Sequence, residues 1–489
     1  MTQLDTDYLV IGAGACGLAF ADTLLQHSDA HITLVDRHAL PGGHWNDAYP
    51  FVALHQPSAF YGVNSLPLGS GRKDTLGHNA GMYELATGAE VCGYFQRVVQ
   101  QQLLPSGRVR HLPMSDFRGV ADGNARVESL LTGAVTAIHV RRRLVDATWF
   151  SPDVPATTAP KYRLEDGVRL VTPTGLTQLW QGGVGQPGHR GHPSPPGRYA
   201  ILGAGKTAMD VGVWLLQAGV DPGHISWVMP RDSWIVNRLG TQPGEEFFEH
   251  SIGGQVQQMK ALAEAGSVED LFERLEAAGQ MLRLDRSQTP RMFHYATLSV
   301  AEVQMLRQIG HVIRQGRVQA VEREALVLDH GRQTMPADTL YIDCTASAVR
   351  YRPAQPVFQP GRLVPQLLRA PLVTFSAAVC AYVEAMPLDD AEKNALCTPV
   401  PFPSGPAGYI ASTLVSMANQ MRWTQHKPLR QWMRDSRLDG FGKMVSNVAP
   451  DDNAKLALLA ELRQQAKAAL DNAPRLMAAT AAAVATAPG

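Results

Sequence analysis

The sequence lacks an excess of charge of either sign, because 44 lysines and arginines balance 44 aspartates and glutamates. Such a chain has no overall field that would recruit nucleic acid or an anionic membrane. Long apolar runs are also missing. The best candidate, Leu372 to Met386, contains Glu384 and is shorter than the ~18 residues that suggest a membrane span. We therefore expect neither a nucleic-acid partner nor a membrane-embedded segment. The first predicted strand begins near residue 7, which leaves no room for a signal peptide and favours a cytoplasmic location.

Cysteine is scarce, and the five cysteines include no Cys-x-x-Cys pair. The sequence therefore supports neither a disulfide framework nor a dithiol reductase site. The His-Glu-x-x-His pattern of zinc enzymes and the Gly-x-Ser-x-Gly elbow of hydrolases are missing too. We expect no metal site and no serine-hydrolase chemistry. Cys16 is interpreted as a small apolar residue rather than a reactive thiol.

Two glycine-rich turns are the most informative feature that the sequence does contain. The first, Gly12-Ala-Gly-Ala-Cys-Gly17, follows the apolar run Tyr8 to Ile11 and precedes a predicted helix. In a dinucleotide-binding turn the first glycine permits the tight turn, the second admits the pyrophosphate, and the third lets helix and strand pack closely. The pyrophosphate then lies on the N–H groups of the helix N-terminus. Asp36 ends the next apolar strand, where an acidic residue binds ribose hydroxyls. The predicted site comprises Gly12, Gly14, Ala15, Gly17, Asp36 and Arg37.

The second turn, Gly203-Ala-Gly-Lys-Thr-Ala208, repeats this pattern after the apolar run Tyr199 to Leu202. Arg231 stands where an acidic residue would follow the next strand, and a forked cation there suits the 2′-phosphate of NADPH. The alternative is a surface ion pair between Arg231 and Asp232. The predicted second site comprises Gly203, Gly205, Lys206, Thr207, Ala208 and Arg231.

These motifs, together with the stretch Gly42-Gly-His-Trp45 and Met209-Asp210, resemble those of the flavin-containing monooxygenases. More loosely, Ala147-Thr148 and Cys344-Thr345-Ala346 match the two Ala-Thr-Gly turns of that family. The resemblance covers residues 1–240 well and 338–350 weakly. It implies an α/β fold with two Rossmann-like dinucleotide-binding domains, an FAD domain with an inserted NADP domain, followed by C-terminal helices.

The predicted division of the chain follows from this resemblance and from composition. The predicted parts are an FAD-binding domain over 1–150, an NADP-binding domain over 195–335 with a helical insertion at 240–310, a return to the FAD domain over 336–452, and an Ala-rich helix and tail over 453–489, frayed at its end. The Pro- and Gly-rich segment 151–197 is interpreted as a crossing between domains.

Residues near the flavin follow from the same resemblance. Gly43 would let the backbone approach the flavin, and Trp45 would form a wall of its ring, unless Trp45 is only a packing residue. His44 is a candidate acid or base, with a structural histidine as the alternative. Asn64, in the loop after these residues, is a candidate for holding NADPH or the oxygenated flavin, with a turn asparagine as the alternative.

The implied reaction is the reduction of bound FAD by NADPH, followed by oxygenation of a small molecule by a C4a-(hydro)peroxyflavin. The substrate would be an amine, a sulfide or a carbonyl compound, with O₂ as co-substrate; the oligomeric state is open, with a homodimer as one option. The family's Phe-x-Gly-x-x-x-His motif is replaced here by Tyr162 to Val171 without histidine, and Trp149 replaces a glycine. These departures leave two alternatives: a flavoprotein reductase or dehydrogenase without oxygen insertion, and a non-catalytic redox sensor.

The irregular segment 40–82 is expected to form the substrate pocket where the two domains meet. Such long aperiodic segments in compact domains are often functional. The expected walls of the pocket are Trp45, His55, Phe60, Tyr61, Asn64, and Phe375 or Trp423.

Overall fold

The computed structural model describes residues 2–181, 195–347 and 349–486. The predicted crossing at 151–197 therefore lies partly outside the described residues. The first part of the chain alternates strands and helices. Its elements are β1 (Thr2–Ile11), α1 (Ala15–His27), β2 (Ile32–Val35), α2 (Gly88–Arg97, continued by a π-helical turn Val98–Leu103), β3 (Val109–Leu112), β4 (Ser115–Ala121), β5 (Asn124–Ser129) and β6 (Val135–Asp146).

Strand β1 is the centre of the first sheet, and it pairs in parallel with both β2 and β6. Leu9 and Val10 are fully buried, as expected for a strand covered on both faces. The long strand β6 also pairs with β5, which forms a hairpin with β4. The β1–α1–β2 unit predicted for the first glycine turn is therefore present, with the strand Ile32–Val35 at its predicted position.

The middle part of the chain builds a second Rossmann-like unit with an insertion. Its elements are β7 (Arg163–Leu164), β8 (Arg169–Val171), α3 (Pro173–Leu176), β9 (Arg198–Leu202), α4 (Lys206–Gln217), β10 (Ile225–Val228), β11 (Ser233–Asn237), α5 (Gly254–Glu264), α6 (Val268–Ala277), β12 (Met281–Leu282), β13 (Met292–Leu298), α7 (Val300–Leu306), β14 (His311–Ile313), β15 (Val318–Glu322), β16 (Ala325–Leu328), β17 (Gly331–Thr334) and β18 (Thr339–Asp343).

The second sheet has the order β14-β10-β9-β18-β8, and all its pairings are parallel. Strands β15, β16 and β17 form a separate small sheet with β7. The predicted boundary between 335 and 336 is wrong, because β18 belongs to the second sheet through its pairing with β9. The predicted start at 195 is also late, since β7 and β8 lie in sheets of this unit. Strands β7 and β8 are only two and three residues long, so the sequence does not indicate which strands they pair with.

The insertion at 240–310 is helical only in part. Helices α5 and α6 agree with the prediction, but Met292–Leu298 is a strand that pairs in parallel with β11. Together with β12, these strands form a three-stranded sheet. Aromatic and β-branched residues in β13 favour this conformation over a helix.

The last part of the chain returns to the first unit and then forms helices. Its elements are β19 (Phe358–Gln359), β20 (Arg362–Leu363), α8 (Val373–Glu384), α9 (Asp390–Leu396), α10 (Pro406–Gln425), α11 (Lys427–Asp435), α12 (Gly440–Ser446) and α13 (Asn453–Thr486). Strand β20 pairs with β6, so the first sheet reads β19-β20-β6-β1-β2-β3. The predicted α/β class, with two Rossmann-like units and C-terminal helices, is confirmed.

The apolar segment around Leu372 to Met386 becomes helix α8, which packs against α1 in the core of the first unit. Glu384 at its end accepts hydrogen bonds from Tyr8 and Arg143 and pairs with Lys393. In the part of the chain that the structure describes, no helix has both the length and the apolarity to cross a bilayer.

Candidate functional site

The first glycine turn connects β1 to α1 and has the tight geometry that its sequence predicts. Gly12 has a φ of +99°, which favours glycine, and a Cβ on Gly17 would lie 1.9 Å from the carbonyl oxygen of Gly12. Gly14 is the N-cap of α1 and provides no side chain to cap the helix. Gly14 and Ala15 remain partly accessible to solvent. The first N–H groups of α1 are therefore suited to binding an anion.

Asp36 lies directly against this turn. Its Oδ2 accepts a hydrogen bond from the Ala13 N–H at 2.6 Å, and its Oδ1 accepts from both the backbone and the ring of His38 at 2.8 Å. Burial would raise the pKa of this carboxyl, but the bonds from His38 and Ala13 outweigh burial and lower it. Asp36 is therefore an anion at neutral pH with lone pairs left for ribose hydroxyls. Arg37 points away, because its guanidinium binds Asp116 and is largely exposed.

A loop covers the first turn. The Gly42 N–H donates to the Ala13 carbonyl at 2.9 Å, and the 3-10 turn Gly43–Asp47 follows. A Cβ on Gly43 would lie 3.0 Å from the Cα of Gly14. Gly43 thus lets two backbone segments touch, and its approach to a flavin stays a prediction.

His44 and Trp45 lie in this covering loop. The Trp45 Nε1 donates to the Tyr61 hydroxyl at 2.8 Å, and the rings of His44 and Trp45 are 5.3 Å apart. Burial lowers the pKa of His44 to about 4. His44 is therefore neutral at pH 7, so it does not fit the role of a protonated general acid that the sequence allowed.

Asn64 is held by the C-terminal part of the chain. Its Oδ1 accepts from the Ser436 hydroxyl at 2.9 Å and from the Arg437 N–H at 3.2 Å. The Arg437 guanidinium donates to the carbonyls of Val63 and Tyr61. Asn64 thus has its oxygen committed to fixing the loop, which leaves only its amide nitrogen for a ligand.

The second glycine turn has the same geometry but is open. Gly203 has a φ of +118°, and a Cβ there would lie 2.7 Å from the Cys344 carbonyl oxygen. By contrast, a Cβ on Gly205 would meet no atom within 4 Å. Ala208 is fully buried in the third position of the motif. The space in front of Gly205 is a cradle of the kind that a pyrophosphate requires.

Lys206 and Thr207 begin helix α4, and the structure joins them to the first unit. Lys206 forms an ion pair with Asp210 one turn later. The Tyr49 hydroxyl donates to the other oxygen of Asp210 at 2.7 Å, and Tyr49 also contacts the Thr207 side chain. Sequence reasoning missed Tyr49 and Asp210 as partners because nothing in the local pattern connects them.

Arg231 follows β10 and is exposed. The alternative pairing with Asp232 is contradicted, because both oxygens of Asp232 accept hydrogen bonds from Arg314, at 2.8 and 3.0 Å. Among the described residues no carboxylate forms an ion pair with Arg231. Its guanidinium is therefore available for a phosphate.

The two units share a further structural feature, an Asp-x-Thr turn, that the sequence analysis missed. After β6, Asp146 Oδ1 accepts hydrogen bonds from the N–H and hydroxyl of Thr148; after β18, Asp343 Oδ1 does the same for Thr345. Each Asp-x-Thr turn packs against the first glycine of its own unit. These are the places where the Ala-Thr-Gly resemblance was noted, and the repeated Asp-x-Thr triplet was the available signal.

Two of the expected pocket walls are core residues instead. Phe375 is fully buried, and Trp423 is buried with its Nε1 donating to the Leu396 carbonyl. Phe60 lines a cleft of about 390 Å³ with Arg437 and Lys443. A second cleft of about 570 Å³ lies in the insertion, where His250 and the glycines around Gly254 line it. Neither cleft is lined by a glycine-turn residue.

The described residues fit a dinucleotide at each turn. Both helices begin at an uncapped glycine, and Gly205 faces open space. Near Asp36, His111 has a buried Nε2 without a hydrogen-bond partner among the described residues, which is a free polar group for a base or sugar.

The possible metal ligands and the cysteine thiols were also located in the structure. No group of three or more metal-binding side chains comes together in the described ranges. All five cysteines are free thiols, and burial raises the pKa of Cys16 to about 12, as suits a small apolar residue.

Comparison with known proteins places this geometry in context. A family model described as an NAD(P)-binding Rossmann-like domain matches residues 10–64. The uncharacterized protein Rv2000 of Mycobacterium tuberculosis is 42% identical over 482 residues, which are 98% of this chain and 86% of that protein.

Two solved structures are similar in fold. The polycyclic ketone monooxygenase from the fungus Thermothelomyces thermophila has a TM-score of 0.51 at 13% identity, covering 96% of this chain and 89% of that one. A cyclohexanone-bound cyclohexanone monooxygenase has a TM-score of 0.50 at 13% identity, covering 92% and 98%. The chain belongs to one family with the mycobacterial protein, and its fold is similar to those of the two ketone monooxygenases.

Proposed function

We propose that this protein is an FAD- and NADPH-dependent oxidoreductase and, more narrowly, a monooxygenase that oxygenates a small molecule. One observation carries the proposal: the two glycine turns have the same geometry but different access. The first is covered by the loop that begins at Gly42, whereas the second faces open space at Gly205. A covered turn suits a cofactor that stays bound, and an open turn suits one that is exchanged.

At the first turn, the N-terminus of α1 would bind the FAD pyrophosphate, and Asp36 would accept hydrogen bonds from the ribose hydroxyls. Bound there, FAD would supply the redox chemistry, because it accepts two electrons from a reduced nicotinamide and reacts with O₂ when reduced. Trp45, fixed by Tyr61, and neutral His44 would exclude water from this region.

At the second turn, the backbone of Gly205 and the N-terminus of α4 would bind the NADPH pyrophosphate. Lys206 and Thr207 supply a cation and a hydroxyl at that point, and the unpaired guanidinium of Arg231 would bind the 2′-phosphate. Lys206 must then share its charge between Asp210 and the phosphates.

The related folds carry ketone monooxygenase names, so we propose a ketone as the first substrate class to test, followed by a sulfide or an amine. The reductase remains a second candidate because of one specific observation. Residues 162–171 correspond to the interval that carries the histidine motif in the flavin-containing monooxygenases. Here they contain no histidine and contribute the short strands β7 and β8 to the second unit.

The experiment compares the consumption of NADPH and O₂ with the yields of H₂O₂ and oxygenated product, using cyclohexanone and an aryl sulfide in ¹⁸O₂. A monooxygenase incorporates ¹⁸O into one of these substrates and forms less H₂O₂ when that substrate is present. If all the O₂ consumed appears as H₂O₂ with each substrate, the reductase explains the protein better. If no NADPH is consumed, both enzymatic proposals are wrong.

A further inference from the structure

His38 links the two parts of the first site that would hold a dinucleotide. Its Nδ1 lies 2.8 Å from Asp36 Oδ1, and its Nε2 lies 2.8 Å from Asp47 Oδ2. The ring thus bridges two carboxylates. Asp36 also binds the Ala13 N–H in the glycine turn, so the network extends from that turn across His38 to Asp47.

Asp47 is the last residue of the 3-10 turn that covers the glycine turn. The start of the same loop is attached by the bond from Gly42 to Ala13 and by the contact between Gly43 and Gly14. His38 therefore fastens the far end of the covering loop, defined here as residues 42–47. The middle of the loop is held by the hydrogen bond from Trp45 to Tyr61, and His38 attaches its last residue.

We propose that His38 is a positioning residue for the dinucleotide at the first glycine turn, where it neutralises and orients Asp36 and holds the covering loop in place. The inference rests on the proposed function in that FAD is the dinucleotide. His38 does not need to touch the reacting atoms, and it was not among the residues that the sequence motifs identified.

The charges around the site explain why this one cation matters. Asp36 and Asp47 place two carboxylates beside the turn where the diphosphate would bring further negative charge. Of the other basic groups nearby, Arg37 is engaged with Asp116, and burial lowers the pKa values of His44 and His111 so that both rings are neutral at pH 7. Among the residues that the structure describes, His38 is the basic side chain that forms ion pairs with both Asp36 and Asp47.

The direction of the pKa shift of His38 determines how FAD binding should depend on pH. Its bonds to Asp36 and Asp47 outweigh partial burial and raise its pKa to about 9. A raised pKa means that the stabilising charge is fully present below the usual value of 6.5 and is lost as pH rises through about 9. FAD retention should follow the same curve.

The test measures the Kd of FAD by fluorescence quenching between pH 6 and 10 in the full-length protein. We expect the wild type to hold FAD with a steady Kd up to about pH 8 and to weaken through about pH 9. His38→Gln should raise the Kd at pH 7 by about tenfold or more and remove the step near pH 9. Asp47→Asn keeps the size of the side chain and should weaken FAD in the same direction, which covers the case that His38→Gln does not fold.

The matched control is His139→Gln, since His139 also contacts a carboxylate, that of Asp5, but is exposed on β6. Its Kd and pH profile should equal those of the wild type. If the wild type binds FAD and both His38→Gln and Asp47→Asn keep its Kd and pH profile, the inference about His38 is wrong while the proposed function stands. If the wild type binds no FAD, both are wrong.

Discussion

The hydroxyl of Tyr49 lies 2.7 Å from Oδ2 of Asp210, and this hydrogen bond joins the two nucleotide-binding units. Tyr49 belongs to the irregular segment after the first site, whereas Asp210 lies in the first turns of α4 and holds Lys206. Beside it, the rings of Phe51 and Trp214 stack at 4.9 Å. The helix that begins the second site is thus fixed directly against the first unit.

Tyr49→Phe should lower the free energy of unfolding by about 1–2 kcal/mol, because a buried hydrogen bond to a carboxylate is lost while the ring contacts remain. Denaturant titration measures the change. Tyr382→Phe is the control, since that hydroxyl makes only a 3.4 Å contact to the Pro428 carbonyl, and it should change stability by less than about 0.5 kcal/mol. Equal effects of the two substitutions would contradict a special role for the Tyr49–Asp210 bond.

Gly205→Ala and Gly203→Ala should separate ligand binding from stability. The first places a methyl group in open space at a φ of −81°, so the melting temperature should stay constant while the Kd of NADP⁺ rises by about tenfold or more. The second imposes a positive φ and a contact of 2.7 Å with the Cys344 carbonyl, and should cost about 2 kcal/mol or more in stability. Calorimetry supplies both quantities. Unchanged NADP⁺ affinity in Gly205→Ala would show that the open cradle is not the pyrophosphate site.

Arg231→Ala should raise the KM for NADPH by about tenfold and leave the KM for NADH nearly unchanged, because only NADPH carries the 2′-phosphate. Arg286→Ala removes another exposed arginine of the same unit and should alter neither value. If Arg231→Ala affects both coenzymes equally, Arg231 does not recognise the phosphate.

Glu302→Gln should destabilise the protein by about 3 kcal/mol at pH 7. Arg238 is 1% exposed, and its Nη1 lies 2.7 Å from Glu302 Oε2, so the substitution leaves a buried guanidinium without its carboxylate. A glutamine can still serve in the capping box with Ser299.

The pH dependence of this effect has a predictable sign. Burial alone would raise the pKa of Glu302. The positive charges of Arg238 and Lys206 outweigh burial, so the pKa lies below its usual value of 4.5. The contribution of the carboxylate is therefore present above 4.5 and is lost as pH falls through the lowered value. The difference in stability between Glu302→Gln and the wild type should shrink below about pH 4.5. A difference that stays constant with pH would mean that the charge of Glu302 is not what stabilises Arg238.

The glycine turns and their strands could be predicted from sequence because their signals are local. Glycines at fixed spacing after an apolar run specify the β1–α1 and β9–α4 connections. Strand Thr339–Asp343, by contrast, lies in the segment 336–452 that was predicted to return to the first domain. The partner of that strand could not be predicted, since parallel pairing joins residues far apart in the chain. This is why its assignment to the first domain was wrong.

The site was predictable to the extent that its residues lie in the motifs. Contacts such as His38 with Asp47 and Tyr49 with Asp210 form between loops whose course depends on tertiary packing. The predicted walls Phe375 and Trp423 failed for a related reason: aromatic residues serve the core as readily as a pocket, and only the packing of α8 decides between the two.

The central claim is that the first turn holds FAD and that NADPH at the second turn reduces it. The most direct measurement is to purify the protein with its FAD, add one equivalent of NADPH without oxygen, and follow the visible absorbance of the flavin. The account predicts that the yellow colour bleaches rapidly with NADPH and more slowly with NADH. A protein that binds no FAD, or whose flavin stays oxidised in the presence of NADPH, would contradict it.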